Sequence, residues 1–214
     1  MNNMKGIYFV TGIDTNVGKT AATGFIAREL SDQGINVITQ KMIQTGCIDE
    51  SEDIVEHRRI MNIPLSDVDK DGTTCPYIFT YPCSPHLASK IDNRIIDIQT
   101  IDLATEKLAK QFDVVLLEGA GGIMVPVTDE YLTLDYMQDK GYPVILVTSG
   151  KLGSINHTLM TLELIRQRGL DIAMLVYNLY PKADEIIEAD TMNYLKRYMS
   201  KYFPNAIFKI LDQF

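Results

Sequence analysis

GIDTNVGKT, residues 12–20, follows a short apolar run at residues 7–10 and leads into apolar side chains at helical spacing over residues 20–33. A glycine-rich turn between a buried strand and a helix aims successive backbone N–H groups at one point, where an anion can bind. Lys19 adds an ammonium that reaches the β- and γ-phosphates, and Thr20 adds a hydroxyl for Mg²⁺. The alternative, a strand–helix turn without a ligand, is disfavoured by the adjacent Gly18, Lys19 and Thr20. The stretch therefore predicts a phosphate-binding loop.

The rest of the chain alternates short apolar runs with helical patterns. Strands are expected at residues 7–10, 35–40, 114–117, 144–147, 172–176 and 207–210. Helices are expected at residues 20–33, 51–61, 97–111, 132–138, 154–168 and 183–201, with Ser51 and Asp97 as N-caps. Residues 42–50 are expected to form a loop, and residues 72–84 are expected to be irregular or extended. Apolar strands separated by helices predict an α/β fold: one P-loop NTPase domain over residues 1–214, with a mostly parallel sheet and helices on both faces.

Composition narrows the class of protein. The formal net charge is −8 and 46% of the residues are apolar, so a nucleic-acid partner is not expected. No apolar stretch reaches the ~18 residues that span a membrane, and the N-terminus lacks the features of a signal peptide. The three cysteines, Cys47, Cys75 and Cys83, form no C-x-x-C pair and are expected to be reduced thiols. We expect a cytoplasmic protein that binds neither nucleic acid nor membrane.

Two further stretches place charged residues at strand ends. VVLLEGAGG, residues 114–122, puts Glu118 at the carboxyl end of a buried strand, where this class of fold holds a metal-binding carboxylate. Gly119 and Gly121 would let the backbone approach phosphates closely. QKMIQTG, residues 40–46, puts Lys41 at the end of the second strand. The alternative for Glu118 is an exposed side chain in a glycine turn without a metal. The alternative for Lys41 is a side chain that simply extends into solvent.

Acidic and substrate-side residues are less sharply defined. Asp49, Glu50, Glu52 and Asp53 could supply a second metal carboxylate, or they could simply favour a helix start. KLGSINH, residues 151–157, joins a strand to a helix whose N-terminus suits a carboxylate, although an ordinary helix cap is the alternative. The three histidines lack zinc-ligand spacing. His57 is expected on a helix surface and His157 packed in the interior.

Four motifs follow one another along the chain, at residues 12–20, 40–46, 114–122 and 151–157. Together they resemble the dethiobiotin synthetase family, and the resemblance runs from residue 7 to about residue 180. Five residues separate Gly12 from Gly18, as in that family, where the standard loop has four. The resemblance implies catalytic roles for Lys41 and Lys19, and metal ligation by Thr20, Asp53 and Glu118. It implies nucleotide contacts from Asp14, Thr15, Asn16, Val17, Gly18, Lys19, Thr20, Ala21, Glu118, Gly119, Gly121 and Asn178. It implies substrate contacts from Thr45 and, across a homodimer interface, from Gly153, Ser154, Ile155 and Asn156.

The chemistry implied by the resemblance is ATP- and Mg²⁺-dependent closure of a cyclic urea. An amine of 7,8-diaminononanoate takes up CO₂ as a carbamate, whose oxygen attacks the ATP γ-phosphate. The second amine then closes the dethiobiotin ring on the carbamic–phosphoric anhydride, and ADP and phosphate are released. The expected partners are small molecules and a second copy of the chain.

The alternative from another class is a P-loop ATPase switch that binds a partner protein. Such switches carry a lysine in the first half of the loop, where Asp14 stands here. A cobyrinate-type amidoligase would need a glutaminase domain for which the chain has no room. Two departures from the family pattern matter: Asn16 replaces the usual glutamate, and Lys209 to Asp212 lack a proline-containing strand end. The second departure predicts loose recognition of the nucleotide base.

Overall fold

The computed structural model describes residues 4–180, 182 and 184–212. In chain order the elements are β1 (Gly6–Gly12), α1 (Lys19–Asp32), β2 (Val37–Lys41), β3 (Gln44–Thr45), α2 (Glu52–Met61), α3 (Asp67–Lys70), β4 (Ile78–Phe79), α4 (Pro85–Ile91), α5 (Ile98–Ala109), β5 (Val114–Gly122), α6 (Thr133–Lys140), β6 (Val144–Ser149), α7 (Ser154–Gln167), β7 (Ile172–Asn178), α8 (Glu185–Tyr202) and β8 (Ile207–Leu211).

Within the described residues, six strands form one sheet in the order β2-β5-β1-β6-β7-β8, and each neighbouring pair is parallel. The predicted parallel α/β architecture is confirmed. β1 lies between β5 and β6, and β2 pairs with β5 so that Lys41 stands beside Glu118. Because the strands run in the same direction, the loop after β1 and the ends of β2 and β5 meet at one edge of the sheet.

The sheet is covered on both faces, as predicted. Phe9 and Leu117 lie in one buried cluster with Leu162 of α7. Their chain neighbours Val10 and Leu116 lie in a second cluster with side chains of α1. Successive side chains of a strand point to opposite faces, so this alternation places helices on both sides of the sheet. Among the described helices, none has the length and apolar character needed to cross a bilayer.

Some elements differ from the sequence-based expectation. Residues 42–50 and 72–84 contain β3 and β4, which form a small parallel sheet through bonds such as Gln44 N–H to the Tyr77 carbonyl, 2.8 Å. Strands of two residues are too short to show a period. The short helices α3 and α4 were also not expected. β2 begins two residues later than predicted, at Val37, and α6 is shifted to Thr133–Lys140. α8 begins at Glu185, and Ala183, its predicted start, lies outside the described residues.

Helix α2 is fixed firmly against the sheet. The Ser51 hydroxyl accepts from Ile54 N–H at 3.2 Å, and Asp97 likewise caps α5, so both predicted caps are confirmed. Buried Arg58 donates twice to Asp69, at 2.9 and 2.7 Å, and once to the Thr39 hydroxyl of β2. Bidentate guanidinium–carboxylate pairs fix geometry as well as charge. Arg58 therefore holds α2 in one position relative to the sheet edge.

Candidate active site

The loop after β1 is shaped by its glycines. A Cβ on Gly12 would lie 2.5 Å from Val17 Cγ1, so the chain turns too tightly there for any larger residue. Gly18 is the N-cap of α1 at φ 97°, a left-handed conformation that glycine adopts without strain. Helix α1 then begins at Lys19, and its free N–H groups face the loop. This is the geometry predicted from residues 12–20.

Lys19 is almost fully buried, and its ammonium donates to the Asp14 carbonyl at 3.0 Å. Burial, and then the positive charge of Lys41, lower the pKa of Lys19 to about 8. Three nearby carboxylates, those of Glu118, Asp53 and Asp14, oppose this decrease without cancelling it. The loop therefore holds a poorly compensated cation that a phosphate would neutralise.

Lys41 lies between two carboxylates at the end of β2. Its Nζ is 2.6 Å from Asp53 Oδ2 and 2.9 Å from Glu118 Oε1, and it donates to the Gly119 carbonyl at 3.2 Å. Burial alone would lower the pKa of Lys41, but Glu118 and Asp53 raise it above its ordinary value. Burial alone would raise the pKa of Glu118, but Lys41 and His57 hold it well below its usual range. Lys41 and Glu118 are therefore both charged near neutral pH.

The oxygens of Thr20, Asp53 and Glu118 fit a magnesium ion bound together with a nucleotide. The Thr20 hydroxyl donates to Asp53 Oδ1 at 2.7 Å, and Lys41 joins Asp53 to Glu118. Mg²⁺ prefers hard oxygen ligands and commonly takes one or two carboxylates with phosphates and water. Within the described ranges no group of three His, Cys, Asp or Glu side chains is placed to hold a metal by itself. Phosphate oxygens would have to complete the coordination.

The structure distinguishes the four acidic residues before and within α2 by their positions. Asp53 faces Thr20 and Lys41 from the first turn of α2. Asp49, Glu50 and Glu52 are exposed, and Asp49 and Glu50 precede the helix. Of the four acidic residues, Asp53 is the one that joins the Lys41 cluster.

An open cleft of about 830 Å³ runs from the loop past Lys41. The described residues lining it are Thr15, Asn16, Gly18, Lys19, Thr20, Ala21, Lys41, Ile43, Gln44, Thr45, Asp53, Glu56, Pro82, Cys83, Ser84, Pro85, Glu118, Ala120, Gly121, Val125, Asn178 and Tyr180. Asp14, Val17 and Gly119 do not line it. Gly119 instead makes room for a neighbour, since a Cβ there would lie 2.9 Å from Phe9 Cζ. The lining residues Pro82 and Tyr180 were not predicted to contact a ligand.

Asn178 is engaged by the protein itself. Its Nδ2 donates to the Val17 carbonyl at 3.0 Å and to the Tyr180 carbonyl at 2.8 Å. Its Oδ1 accepts from Tyr180 N–H at 3.0 Å. Both amide hydrogens are used, so Asn178 connects the end of β7 to the phosphate loop.

The predicted substrate residues divide into two places. Thr45 lines the cleft, whereas Gly153, Ser154, Ile155 and Asn156 do not. The latter form the start of α7, with exposed Gly153 as N-cap at φ 93°. The buried Ser154 hydroxyl has no hydrogen-bond partner within the described residues. This helix start is therefore not part of the cleft that Lys41 lines.

Two histidine predictions are wrong. His57, expected on the surface, is fully buried, and its Nε2 lies 3.0 Å from Glu118 Oε2. His157, expected in the interior, is exposed on α7. A period of 3.6 residues identifies the inward face of a helix only where apolar residues dominate it, and α2 turns a charged face inward. The four-residue spacing of Asp53 and His57, which puts both on one helical face, was the available signal.

Comparison with known proteins agrees with this geometry. Residues 7–204 match the family described as AAA domain, AAA_26. The chain is 52% identical over 209 residues to the ATP-dependent dethiobiotin synthetase BioD 2 of Pasteurella multocida, covering 98% of each chain. It is 50% identical over 200 residues to the ATP-dependent dethiobiotin synthetase BioD of Chlorobaculum tepidum, covering 93% of this chain and 84% of that protein.

Solved structures agree at the level of fold. A plasmid partition protein from Borrelia burgdorferi, bound to AMPPNP, superposes with a TM-score of 0.55 at 13% identity, covering 99% of this chain and 88% of that one. The identities to the synthetases far exceed what a shared P-loop fold alone requires, and they extend over nearly the whole chain. The chain therefore belongs to the family of ATP-dependent dethiobiotin synthetases, which are P-loop enzymes.

Proposed function

We propose that this enzyme binds Mg²⁺-ATP in the loop after β1 and closes the cyclic urea of dethiobiotin from 7,8-diaminononanoate and CO₂. The observation that carries the proposal is the position of Lys41, fixed between Asp53 and Glu118 beside the phosphate loop. A cation fixed there meets the negative charge that develops at a transferring γ-phosphoryl group.

The loop and α1 hold the triphosphate. Backbone N–H groups from Gly18 to Ala21 and the N-terminal end of the helix dipole face the phosphates, and Lys19 lies beside them. Phosphate binding offsets the cost of keeping the Lys19 ammonium buried near the charge of Lys41. Asp14 contributes through its backbone carbonyl, which positions Lys19.

Thr20, Asp53 and Glu118 would hold the magnesium ion. When bound, Mg²⁺ would neutralise negative charge on the phosphates. Lys41 contacts the same two carboxylates, Asp53 and Glu118, that would ligate the ion.

The chemistry needs positioning more than it needs a protein nucleophile. A substrate amine adds to CO₂ and loses a proton, giving a carbamate. The carbamate oxygen forms a bond to the γ-phosphorus as the bond to ADP breaks. The second amine attacks the carbonyl carbon, loses its proton and expels phosphate. Lys41 and Lys19 stabilise charge during phosphoryl transfer, and Thr45 orients the substrate from the cleft wall.

The substrate carboxylate is proposed to bind at the start of α7 of a second subunit. Helix α7 begins after an exposed N-cap, Gly153, that supplies no side-chain hydrogen bond, so the first backbone N–H groups of the helix are free to bind a carboxylate. Gly153 of the partner subunit leaves room for close approach. A homodimer would thereby complete each cleft, with the carboxylate far from the reacting amines.

The test is detection of the product by mass spectrometry. Purified enzyme is incubated with 7,8-diaminononanoate, bicarbonate, ATP and Mg²⁺, and the cyclic urea and ADP are measured. We expect product in equal amount to ADP, none after chelation of Mg²⁺, and at least a hundredfold less with the Lys41→Ala variant. Hydrolysis of ATP at the same rate without the diamine would contradict the proposal and favour an ATPase switch.

A further inference from the structure

Buried His57 is a side chain at the site to which neither the motifs nor the proposed reaction assigns a role. It does not line the cleft, and it is fully enclosed between α2 and the sheet edge. Its Nε2 is 3.0 Å from Glu118 Oε2. A carboxylate oxygen of an ionised glutamate only accepts hydrogen bonds, so Nε2 carries the proton and donates.

The two oxygens of Glu118 have different partners. Oε1 faces Lys41 at 2.9 Å, towards the cleft. Oε2 faces inward, where it receives His57 and lies 2.7 Å from the Thr23 hydroxyl. Thr23 also lies 2.8 Å from the Lys19 carbonyl, and its single hydrogen cannot satisfy both acceptors fully. His57 is therefore the donor that Oε2 does not have to share with another acceptor.

The backbone gives His57 a fixed place. It lies one turn after Asp53 on α2, on the same face of the helix. Helix α2 packs closely on α1, where Ile60 of α2 contacts Gly24 of α1. A Cβ on Gly24 would lie 2.9 Å from Ile60 Cδ1, so only glycine allows this approach. Its neighbour Arg58 ties the same turn to Asp69 and to β2. The imidazole therefore holds Glu118 from a rigid support.

We propose that His57 is a positioning residue that orients Glu118 so that Oε1 points at the metal of the bound nucleotide. The proposal rests on the proposed function, because it requires a metal held by Glu118. A ligand carboxylate held through its second oxygen loses less freedom when the metal binds, and groups that orient metal ligands in this way contribute about 10- to 100-fold in metal affinity.

The experiment measures nucleotide binding without turnover. The affinity for a non-hydrolysable ATP analogue is determined by calorimetry at saturating Mg²⁺ and after chelation, with no diamine present. The His57→Leu variant removes the donor, and the His57→Gln variant keeps an amide N–H at a similar reach. The Ile60→Ala variant opens a gap on the same helix away from Glu118, and serves as the matched control for a loosened α2.

We expect the His57→Leu variant to lose at least about tenfold in affinity with Mg²⁺, and less than about twofold without it. The His57→Gln variant should recover most of the loss. The Ile60→Ala variant keeps the imidazole donor, so its loss in affinity with Mg²⁺ should be smaller than that of the His57→Leu variant. Equal weakening with and without Mg²⁺, or no weakening, would overturn the positioning role.

The two proposals fail in different ways. If nucleotide binding by the wild type itself does not depend on Mg²⁺, the proposed metal site fails and the role of His57 fails with it. If the wild type shows the dependence and all His57 variants keep it, only the positioning role is overturned. If the His57→Leu variant does not fold, the His57→Gln and His57→Asn variants are compared. The asparagine side chain is one bond shorter than that of glutamine, so its amide N–H does not reach Oε2 of Glu118. Equal metal-dependent affinity of these two would then overturn the inference.

Discussion

Replacing Lys41 with methionine removes the cation that separates two acids while keeping most of the volume of the side chain. Lys41 is 5% exposed and Glu118 is fully buried, so solvent does little to compensate. At an effective dielectric constant near 20, each contact of Lys41 is worth about 6 kcal/mol before the cost of desolvation. After that cost, removing one member of a buried ion pair destabilises proteins by about 3–5 kcal/mol.

We therefore expect the Lys41→Met variant to lose about 3–5 kcal/mol of unfolding free energy, or about 6–20 °C in melting temperature. The loss is within the total stability of an ordinary domain, so the variant should remain folded at 25 °C. Turnover should fall by at least about a hundredfold, because a donor at the developing charge is gone.

The assays are urea unfolding, thermal unfolding and substrate-dependent phosphate release. The matched control is Lys209→Met, which removes a lysine that contacts Glu29 at 2.6 Å but whose partner is 43% exposed. Partly exposed pairs contribute about 0–1 kcal/mol, so this variant should lose little stability and no turnover. A loss below about 1 kcal/mol for Lys41→Met would refute the reasoning from burial, and near-normal turnover would refute the catalytic role of Lys41.

Three further predictions concern the base, the dimer and pH. Both amide hydrogens of Asn178 are already donated to the protein backbone, so they are not available to recognise the nucleotide base. GTP and CTP should therefore support turnover within about tenfold of ATP in kcat/KM, measured by phosphate release at matched Mg²⁺. A preference for ATP above about a thousandfold would contradict this. Co-expressing the Lys41→Ala variant with a Gly153→Val variant should restore part of the activity through hybrid sites, whereas a fully active monomer at micromolar concentration would exclude a shared site. Burial alone would raise the pKa of Asp69, but the Arg58 guanidinium lowers it to about 2. Asp69→Asn leaves buried Arg58 without its partner carboxylate and should cost about 3–5 kcal/mol of unfolding free energy at pH 7. About 2 kcal/mol of this deficit should disappear in urea unfolding as the pH falls from about 4 towards 2, where the wild-type carboxylate takes up its proton; a deficit independent of pH would contradict this.

The parts of the fold that sequence predicts are those set by local pattern. Residues 12–20 identify the loop because strand, glycine turn and lysine are adjacent in the chain. Lys41 and Glu118 are predicted to lie near it because parallel strands end at one edge of the sheet. Their direct contact at 2.9 Å depends on the pairing of β2 with β5, which no local pattern specifies.

The parts that sequence does not predict depend on tertiary packing. His57 is buried because α2 packs closely on α1 at Gly24, and a glycine within a helical pattern does not by itself reveal its neighbour. The strands β3 and β4 exist because Gln44 and residues near it find carbonyl partners far along the chain. Roles assigned to the start of α7 depend on a second subunit and stay predictions.

The strand order of the main sheet has a consequence for synthesis on the ribosome. β1 emerges first but lies between β5 and β6, and its residue Gly6 pairs with Val114. At about 5–20 residues per second, on the order of 10 s passes before that partner has been made. During this interval the apolar side chains of β1, including Phe9 and Val10, have no sheet to join. The nascent N-terminal part is therefore expected to need protection by chaperones, and the finished domain to form late in translation.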